Sequence, residues 1–303
     1  MPSETCLITG GSGLIGSRLI KCLRTEGYQV RILTRSKSLA STSGYHFWSV
    51  ENNLLDEPVL KGVDHIIHLA GTNIGAQRWS SYRKREILDS RVKTLHFLFD
   101  KIKTGQSSIK TLISASGVGY YGALTSDHIF TEQDPAADDF LGQTCLHWEQ
   151  AAEMFQDIQA RTVMMRTPMV LSKDGGALPR LMWPVKLGVA APLGHGRQYM
   201  PWIHIDDLVA VYLKALTDSS MVGPFNAAAS EQPTNREFMK ITARIHHKPF
   251  WMPPVPSFIF KIIYGDMASI LLEGSRVSND KLLTSGFKFR YSKLSDALYH
   301  IYN

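Results

Sequence analysis

Three glycines near the start of the chain have a spacing that can bind phosphate. They are Gly10, Gly13 and Gly16 within the sequence TGGSGLIG. This segment follows an apolar run and opens a helix-like stretch, so Gly10 would make the tight turn, Gly13 would admit a pyrophosphate, and Gly16 would allow close helix–strand packing. The amide groups of Leu14 and Ile15 would lie at the positive end of that helix. The pattern predicts a dinucleotide site, with a purely structural turn as the alternative.

The end of the second apolar run indicates which dinucleotide would bind. NAD sites usually carry an acidic residue there, which takes the ribose hydroxyls. Here the run ends in Thr34, Arg35 and Ser36. No carboxylate is present to repel a 2′-phosphate, and Arg35 can pair with one, supported by the two hydroxyl groups. We therefore expect NADP(H) as the cofactor, with a surface arginine that binds nothing as the alternative.

Loops that follow parallel strands meet at the carboxyl edge of their sheet, where ligands bind. By this rule Leu69, Ala70 and Gly71 should pass under the adenine–ribose side of the cofactor. The backbone of Pro168 and Met169, which follow a later strand, should lie near the nicotinamide.

A segment rich in glycine, proline and aromatic residues, 174–199, is expected to cover a substrate. Within it His195 and Arg197 are flanked by glycines and suit an anionic ligand such as a phosphate, although ordinary loop residues fit equally well. No metal site is predicted, since His65 and His68 share one strand without a third ligand at metal spacing.

The elements that must position these residues alternate between strands and helices. Apolar runs predict strands over 6–9, 29–34, 46–50, 65–70, 111–115 and 162–165, and periodic stretches predict helices over 17–25 and 83–103. This order predicts an α/β protein with a Rossmann-type, doubly wound parallel sheet. We expect a nucleotide-binding domain over 1–170, joined again by a segment of about 203–228, and a smaller C-terminal α+β substrate-covering region over 171–303.

The composition is that of an ordinary globular protein and limits the alternatives. The 303 residues are 44% hydrophobic and 20% charged, which excludes a disordered chain. The three cysteines have no CxxC spacing, so a disulfide framework is disfavoured and a reducing compartment expected. The net charge of +6 is scattered, which favours solvated helix faces over a nucleic-acid footprint. With no signal peptide and no apolar run of about 18 residues, we expect a cytoplasmic protein with no membrane partner.

Four motifs along the chain resemble the extended short-chain dehydrogenase/reductase superfamily, which includes the NAD(P)-dependent epimerases and dehydratases. They are TGGSGLIG at 9–16, HLAG at 68–71, ISASGVGYYG at 113–122 and WIHIDDL at 202–208. The segments QRW at 77–79, HWE at 147–149 and GHGRQ at 194–198 are similar to its atypical epimerase-family branch. The resemblance implies NADP(H) binding and a small domain closing over a cleft. It also implies that Glu86 and Arg91 approach the cofactor; a generic charged helix face accounts for them equally well.

The resemblance breaks at the residues that move protons. The superfamily uses a Tyr-x-x-x-Lys pair with a nearby serine, because a tyrosine of lowered pKa exchanges a proton with the substrate oxygen. Ser116 matches that serine. A match through Glu149, however, places Leu141 at the tyrosine position and Cys145 at the lysine position. Leucine cannot donate a proton, so the usual mechanism does not carry over.

Substitutes for the missing pair follow Ser116 in sequence. Tyr120 and Tyr121 are candidate catalytic residues, with support of the loop as the alternative, and Cys145 is either a thiol acid or inert packing. The sequence therefore predicts an NADP(H)-dependent oxidoreductase or epimerase-like enzyme acting on a small polar metabolite, nucleotide-linked or free. The competing hypothesis is a non-catalytic NADP(H)-binding sensor or protein-interaction module. A homodimer is compatible with either.

Overall fold

The computed structural model describes residues 4–105 and 107–303. The strands within these ranges are β1 (Thr5–Thr9), β2 (Gln29–Thr34), β3 (Tyr45–Ser49), β4 (Leu54–Leu55), β5 (His65–His68), β6 (Thr111–Gly117), β7 (Ile129–Phe130), β8 (Arg161–Thr167), β9 (Met169–Leu171), β10 (Trp202–His204), β11 (Gly223–Asn226) and β12 (Arg276–Val277). The α-helices are α1 (Leu14–Thr25), α2 (Lys37–Ala40), α3 (Ser81–Thr104), α4 (Phe140–Glu153), α5 (Leu178–Lys186), α6 (Ile205–Thr217), α7 (Asn235–Ile245), α8 (Ser257–Tyr264), α9 (Ser269–Leu272), α10 (Asp280–Thr284) and α11 (Leu294–Tyr302).

The central sheet has eight strands in the order β11-β8-β6-β5-β1-β2-β3-β4. Every pairing in it is parallel except that of β3 with β4. The chain leaves β1 for β2 and β3 on one side, then crosses back so that β5 pairs with the other side of β1. This reversal opens a crevice at the carboxyl end of β1, which is where such sheets bind ligands. The prediction of a doubly wound parallel sheet is confirmed.

Helices cover both faces of the sheet, as the alternation of side chains in β1 requires. Cys6 and Ile8 point into one apolar core together with residues of α1 and α6. Leu7 points into the opposite core, formed with α3 and α4. Successive side chains of a strand face opposite sides, so a continuous apolar run indicates a strand that is buried on both faces.

A smaller C-terminal domain has its own core, in which α5, α7 and α11 pack around β9 and β10. The WIHIDDL segment connects it to the sheet: Trp202 is buried in this core, and α6 returns to the central one. The Asp207 carboxylate accepts hydrogen bonds from the backbone N–H groups of Arg290 and Tyr291 at 2.8 and 2.9 Å. The motif therefore joins α6 to the C-terminal segment, while the exact domain boundary near residue 170 stays a prediction.

Two further features concern the compartment of the protein. Cys6, Cys22 and Cys145 are all free thiols. Across 4–105 and 107–303, no helix is both long enough and apolar enough to cross a bilayer.

Candidate functional site

The three glycines of the first turn lie at the carboxyl end of β1, where the strand order reverses. They differ in how much space a Cβ atom would have. Gly10 has φ +70°, and a Cβ there would lie 2.6 Å from the carbonyl oxygen of Leu69. A Cβ on Gly16 would lie 2.5 Å from the carbonyl oxygen of Gly10. Gly13 is exposed with φ −77°, and the nearest atom to its Cβ would be 3.3 Å away. Gly10 and Gly16 are therefore required by the fold, whereas Gly13 leaves the surface above the turn open.

Two neighbours that the sequence reasoning missed complete the turn. A Cβ on Gly11 would lie 2.7 Å from the side chain of Ile32, so this glycine lets α1 pack on the sheet. The Thr9 hydroxyl accepts hydrogen bonds from the N–H groups of Leu69 and Ala70 at 3.2 and 3.1 Å. This fixes the loop after β5 against the end of β1. Their position within TGG, at the end of a buried strand, is the signal that could have found them.

The N-terminus of α1 is suited to an anion. The helix begins at Leu14 with Gly13 as its N-cap, and neither a side-chain cap nor an acidic residue occupies its first turn. The first amide groups of a helix have no partner within it and carry its positive end. Gly175 and Gly176 lie beside Leu14, where added Cβ atoms would be 3.6 and 3.4 Å from its methyl groups. A loop of the C-terminal half thus comes next to this helix start.

Arg35 follows β2 and is exposed. Its side chain makes no hydrogen bond or ion pair with any residue of the described ranges. The Thr34 hydroxyl accepts from the N–H of Ser36 at 3.1 Å, and the Ser36 hydroxyl caps α2 by accepting from Leu39. The hydroxyls of Ser36 and Ser38 lie 2.8 Å apart. The guanidinium and this hydroxyl pair, whose second member the sequence reasoning missed, can together receive an anionic group.

Two arginines of α3, Arg83 buried and Arg91 partly buried, hold the loop that follows β5. Arg91 donates to the carbonyl of Thr72 at 3.1 Å, and Arg83 donates to the carbonyl of Asn73 at 2.6 Å. Burial lowers the pKa of Arg91 to about 10, so it stays cationic at neutral pH. Glu86 forms an ion pair with Arg83 at 2.6 Å. These contacts position the loop; direct contact of Glu86 or Arg91 with a cofactor stays a prediction.

Ser116 belongs to a buried network at the end of β6. Its hydroxyl donates to the Glu149 carboxylate at 2.6 Å. The Arg166 guanidinium donates two hydrogen bonds of 2.8 Å to the same carboxylate. Burial by itself would lower the pKa of Arg166, but the hydrogen bonds and charge of Glu149 outweigh it and raise that pKa. The sequence reasoning missed this pair, although an arginine in the apolar run of β8 signals a buried partner.

The two tyrosines that follow Ser116 have different surroundings. Tyr121 is 3% exposed, accepts a hydrogen bond from Arg166 at 2.9 Å and donates one to Asn226 at 2.8 Å. Burial raises its pKa to about 12, so these contacts favour a structural role. Tyr120 is partly exposed, with its ring centroid 3.5 Å from the Arg166 guanidinium carbon. Within 4–105 and 107–303, no residue hydrogen-bonds its hydroxyl, which leaves that group available to a ligand.

The positions of the missing Tyr-x-x-x-Lys pair are apolar. Leu141 lies against Gly119, where an added Cβ would be 3.3 Å from the leucine Cβ. Cys145 lies against Gly117, and burial raises the pKa of its thiol to about 11. A buried, protonated thiol is a poor acid at neutral pH, which favours Cys145 as packing.

A cavity of about 250 Å³ opens beside Leu141. Its lining includes Trp79, Lys84, Phe140, Leu141, Asp266 and Ser269. The beginnings of α3 and α4, the residue two positions before α3, the segment after α8 and the first residue of α9 all contribute. Through Leu141, which lies against Gly119, it borders the loop that carries Tyr120.

The predicted cover residues His195 and Arg197 lie on a loop shaped by Gly194 and Gly196, which have φ +58° and +70°. Both side chains are exposed, and the Arg197 N–H donates to His195 Nδ1 at 3.0 Å. Neither lines the cavity beside Leu141. Pro168 lies between β8 and β9 and Met169 begins β9, both directly after the carboxyl end of β8. Binding by any of the four stays a prediction.

This arrangement agrees with the comparison to known families. Residues 6–228 match the NAD dependent epimerase/dehydratase family. The chain belongs to this family. Residues 255–301 match a further domain of unknown function, DUF1731.

Members of the epimerase/dehydratase family match this chain along nearly its whole length. An epimerase family protein of Mycobacterium bovis is 36% identical over 299 residues, which cover 98% of this chain and 97% of that protein. The chloroplastic SDR39U1 homologue of Arabidopsis thaliana is 33% identical and covers 97% and 85%.

Solved structures agree. The human epimerase family protein SDR39U1 (isoform 2), crystallised with NADPH, superposes with a TM-score of 0.87 at 30% identity over 98% of this chain and 99% of that one. UDP-glucose 4-epimerase of Thermotoga maritima, solved with UDP-glucose, has a TM-score of 0.78 at 17% identity over 98% and 97%, and so shares the fold.

Proposed function

We propose that this epimerase-family protein binds NADP(H) at the turn of Gly10, Gly13 and Gly16 and uses it as an oxidoreductase or epimerase-like enzyme on a small metabolite. One observation carries the proposal. Gly13 is exposed and less tightly packed than Gly10 or Gly16, with 3.3 Å between an added Cβ and the nearest atom, and it leaves the uncapped N-terminus of α1 open to a pyrophosphate. The human relative that was crystallised with NADPH supports the same cofactor.

The residues around the turn fit the rest of the cofactor. Arg35 offers an unpaired guanidinium, which suits a 2′-phosphate. The loop of Leu69, Ala70 and Gly71 lies next to Gly10 and would pass the adenine–ribose side. Pro168 and Met169 would line the nicotinamide side.

The chain's own groups limit how a proton reaches the substrate. A bound nicotinamide would supply two-electron chemistry, and the protein must supply the acid or base. The hydrogen of Ser116 is committed to Glu149, so its oxygen can only accept. Tyr120, fixed by Arg166 beneath its ring, has a free hydroxyl, and we assign proton exchange with the substrate oxygen to it.

A second function is favoured by one observation, the apolar pair Leu141 and Cys145 where a proton-transfer pair is expected. A protein that binds NADP(H) without turnover would act as a redox-state sensor or an interaction module. Absence of NADPH oxidation in a panel of carbonyl compounds, with NADPH binding intact, would favour this alternative, whereas oxidation that Tyr120→Phe leaves unchanged would reject only the role of Tyr120.

Calorimetric titration with NADPH and with NADH tests the cofactor part. We expect NADPH to bind more tightly than NADH, and we expect Gly13→Ala to weaken both. No heat from either cofactor with the folded wild-type protein would overturn the proposal. Substrate-dependent loss of NADPH absorbance then tests the catalytic part.

We also propose a location, a substrate class and an oligomeric state for the protein. A cytoplasmic location is supported by the three free cysteines, which suit a reducing compartment. We propose a small-molecule substrate and no nucleic-acid partner. A homodimer is tested by light scattering at several protein concentrations.

A further inference from the structure

The cavity beside Leu141 has apolar walls and a cation at its rim. Trp79, Phe140 and Leu141 supply the walls, and Lys84 is the cation among the residues that line it. Small-molecule sites commonly measure about 300–1,000 Å³, so a volume of about 250 Å³ accommodates a single ring-sized group. A larger ligand would extend beyond it.

The walls are held in place before any ligand arrives. The Trp79 indole N–H donates to the carbonyl of Ile74 at 2.9 Å, and its ring meets Phe140 edge-on at 4.9 Å between centroids. Lys84 Nζ lies 5.4 Å from the Phe140 centroid. An apolar aromatic surface with an ammonium group at its edge matches a ligand that has a flat apolar body and an anionic end.

The charges around the cavity decide which group would face that anion. Both Asp139 oxygens accept backbone N–H groups, from Gly142 at 2.8 Å and from Ala123 at 2.6 Å, so this carboxylate is engaged. Lys84 pairs with Asp266 at 2.7 Å, and the two side chains are 32% and 67% exposed. The hydrogen bond from Lys84 lowers the pKa of Asp266, which keeps it anionic. An ion pair this exposed is weakly held, so another anion can replace Asp266.

We propose that this cavity binds the ring of a small organic carboxylate, whose anion replaces Asp266 at Lys84. Leu141 favours this class of ligand, because a leucine in place of a hydroxyl-bearing tyrosine makes the wall next to the Tyr120 loop apolar. The inference rests on the proposed function for the role of Tyr120 beside this cavity. The binding itself needs no cofactor and is measured without one.

The test uses benzoate as the probe and benzyl alcohol as its uncharged match. Binding is followed by tryptophan fluorescence, to which Trp79 contributes, and by calorimetry, with wild-type protein, Lys84→Met and Asp266→Asn. We expect Lys84→Met to weaken benzoate by about tenfold or more, Asp266→Asn to strengthen it, and neither to change benzyl alcohol. Opposite effects from the two partners of one ion pair would not arise from general destabilisation.

The matched control is Lys101→Met, since Lys101 also lies on α3 and over a phenylalanine, 5.5 Å from the Phe97 centroid. It should leave benzoate binding unchanged. A second variant, Leu141→Tyr, fills the cavity and should weaken both probes. Absence of benzoate binding, or equal binding by wild-type, Lys84→Met and Asp266→Asn proteins, would overturn the inference.

NADPH titration of the same samples separates the two proposals. Intact NADPH binding without benzoate binding rejects the carboxylate site alone. Benzoate binding that follows the Lys84 and Asp266 variants, without NADPH binding, rejects the cofactor proposal alone. Benzoate binding that Lys84→Met leaves unchanged, together with tighter binding of UDP-glucose, would reject the carboxylate in favour of a nucleotide sugar.

Discussion

The Ser116 hydroxyl and the Glu149 carboxylate are joined by a buried hydrogen bond of 2.6 Å. The carboxylate is also held by Arg166, so it has no hydrogen to give, and the serine must be the donor. The serine that the family resemblance places beside the substrate therefore directs its hydrogen into the protein. We therefore expect the network to stabilise the fold, and Tyr120 rather than Ser116 is the candidate proton donor.

Glu149→Gln should lower the free energy of unfolding by about 3–5 kcal/mol, because it leaves the Arg166 charge buried and unpaired. Glu153→Gln is the control, since Glu153 lies on the same helix but is exposed. Urea unfolding of both variants measures the difference. Equal stabilities would show that the ion pair contributes nothing.

The two neighbouring tyrosines should respond differently to loss of their hydroxyl groups. Tyr121→Phe leaves the buried partners Arg166 and Asn226 short of a hydrogen bond and should destabilise the protein by about 1–3 kcal/mol. Tyr120→Phe should leave stability unchanged and remove substrate-dependent NADPH oxidation. Thermal unfolding and an absorbance assay test this, and the reverse pattern would reject our assignment of the two roles.

Arg35→Ala should weaken NADPH binding by about tenfold or more, as expected when a charge-assisted hydrogen bond to phosphate is lost. NADH has no 2′-phosphate, so its affinity should stay the same. Calorimetry with both cofactors measures the ratio. Lys61→Ala, an exposed lysine elsewhere on the surface, serves as the charge-matched control.

The first and last glycines of the turn should differ from the middle one. Gly16→Ala would force a Cβ to within 2.5 Å of the Gly10 carbonyl oxygen and should prevent correct folding. Gly13→Ala meets that oxygen at 3.3 Å, a contact that a small shift relieves, so the variant should fold but bind NADPH poorly. Circular dichroism and calorimetry separate the two effects. Normal NADPH binding by Gly13→Ala would contradict a phosphate at this turn.

Stability should fall as the pH drops below neutrality. Burial lowers the pKa of His68 from 6.5 to about 3 and that of His204 to about 4. Well above pH 6.5 both rings are neutral whether the chain is folded or not, and they do not reduce the free energy of unfolding. As the pH falls from 6.5 toward these values, only the unfolded chain takes up protons, so unfolding is favoured.

Denaturant unfolding at pH 7.5, 6, 5 and 4.5 measures how steeply the free energy of unfolding falls with pH. His68→Gln should flatten this dependence, whereas the exposed His96→Gln should leave it as in the wild type. An identical slope in all three proteins would show that His68 does not titrate as its burial requires.

Features encoded in short segments were predictable. The glycine turn, the order of strands and helices, and Arg35 at the end of β2 all follow from local patterns of side-chain size and polarity. The ends of the elements were harder to predict. Helix α1 begins at Leu14 rather than at residue 17, because Gly13 is already its N-cap. The strand predicted to end at residue 70 ends at His68, since Thr9 takes the next two N–H groups.

The sequence by itself determined the class of fold and the glycine-rich turn after β1, because strand alternation and glycine spacing act over a few residues. Only the tertiary structure decided which groups are free to react. Ser116 meets Glu149 across 33 residues, and Lys84 meets Asp266 across 182. Such pairs depend on where whole elements pack, which no local spacing records. The same packing leaves the hydroxyl of Tyr120 open while it encloses that of Tyr121.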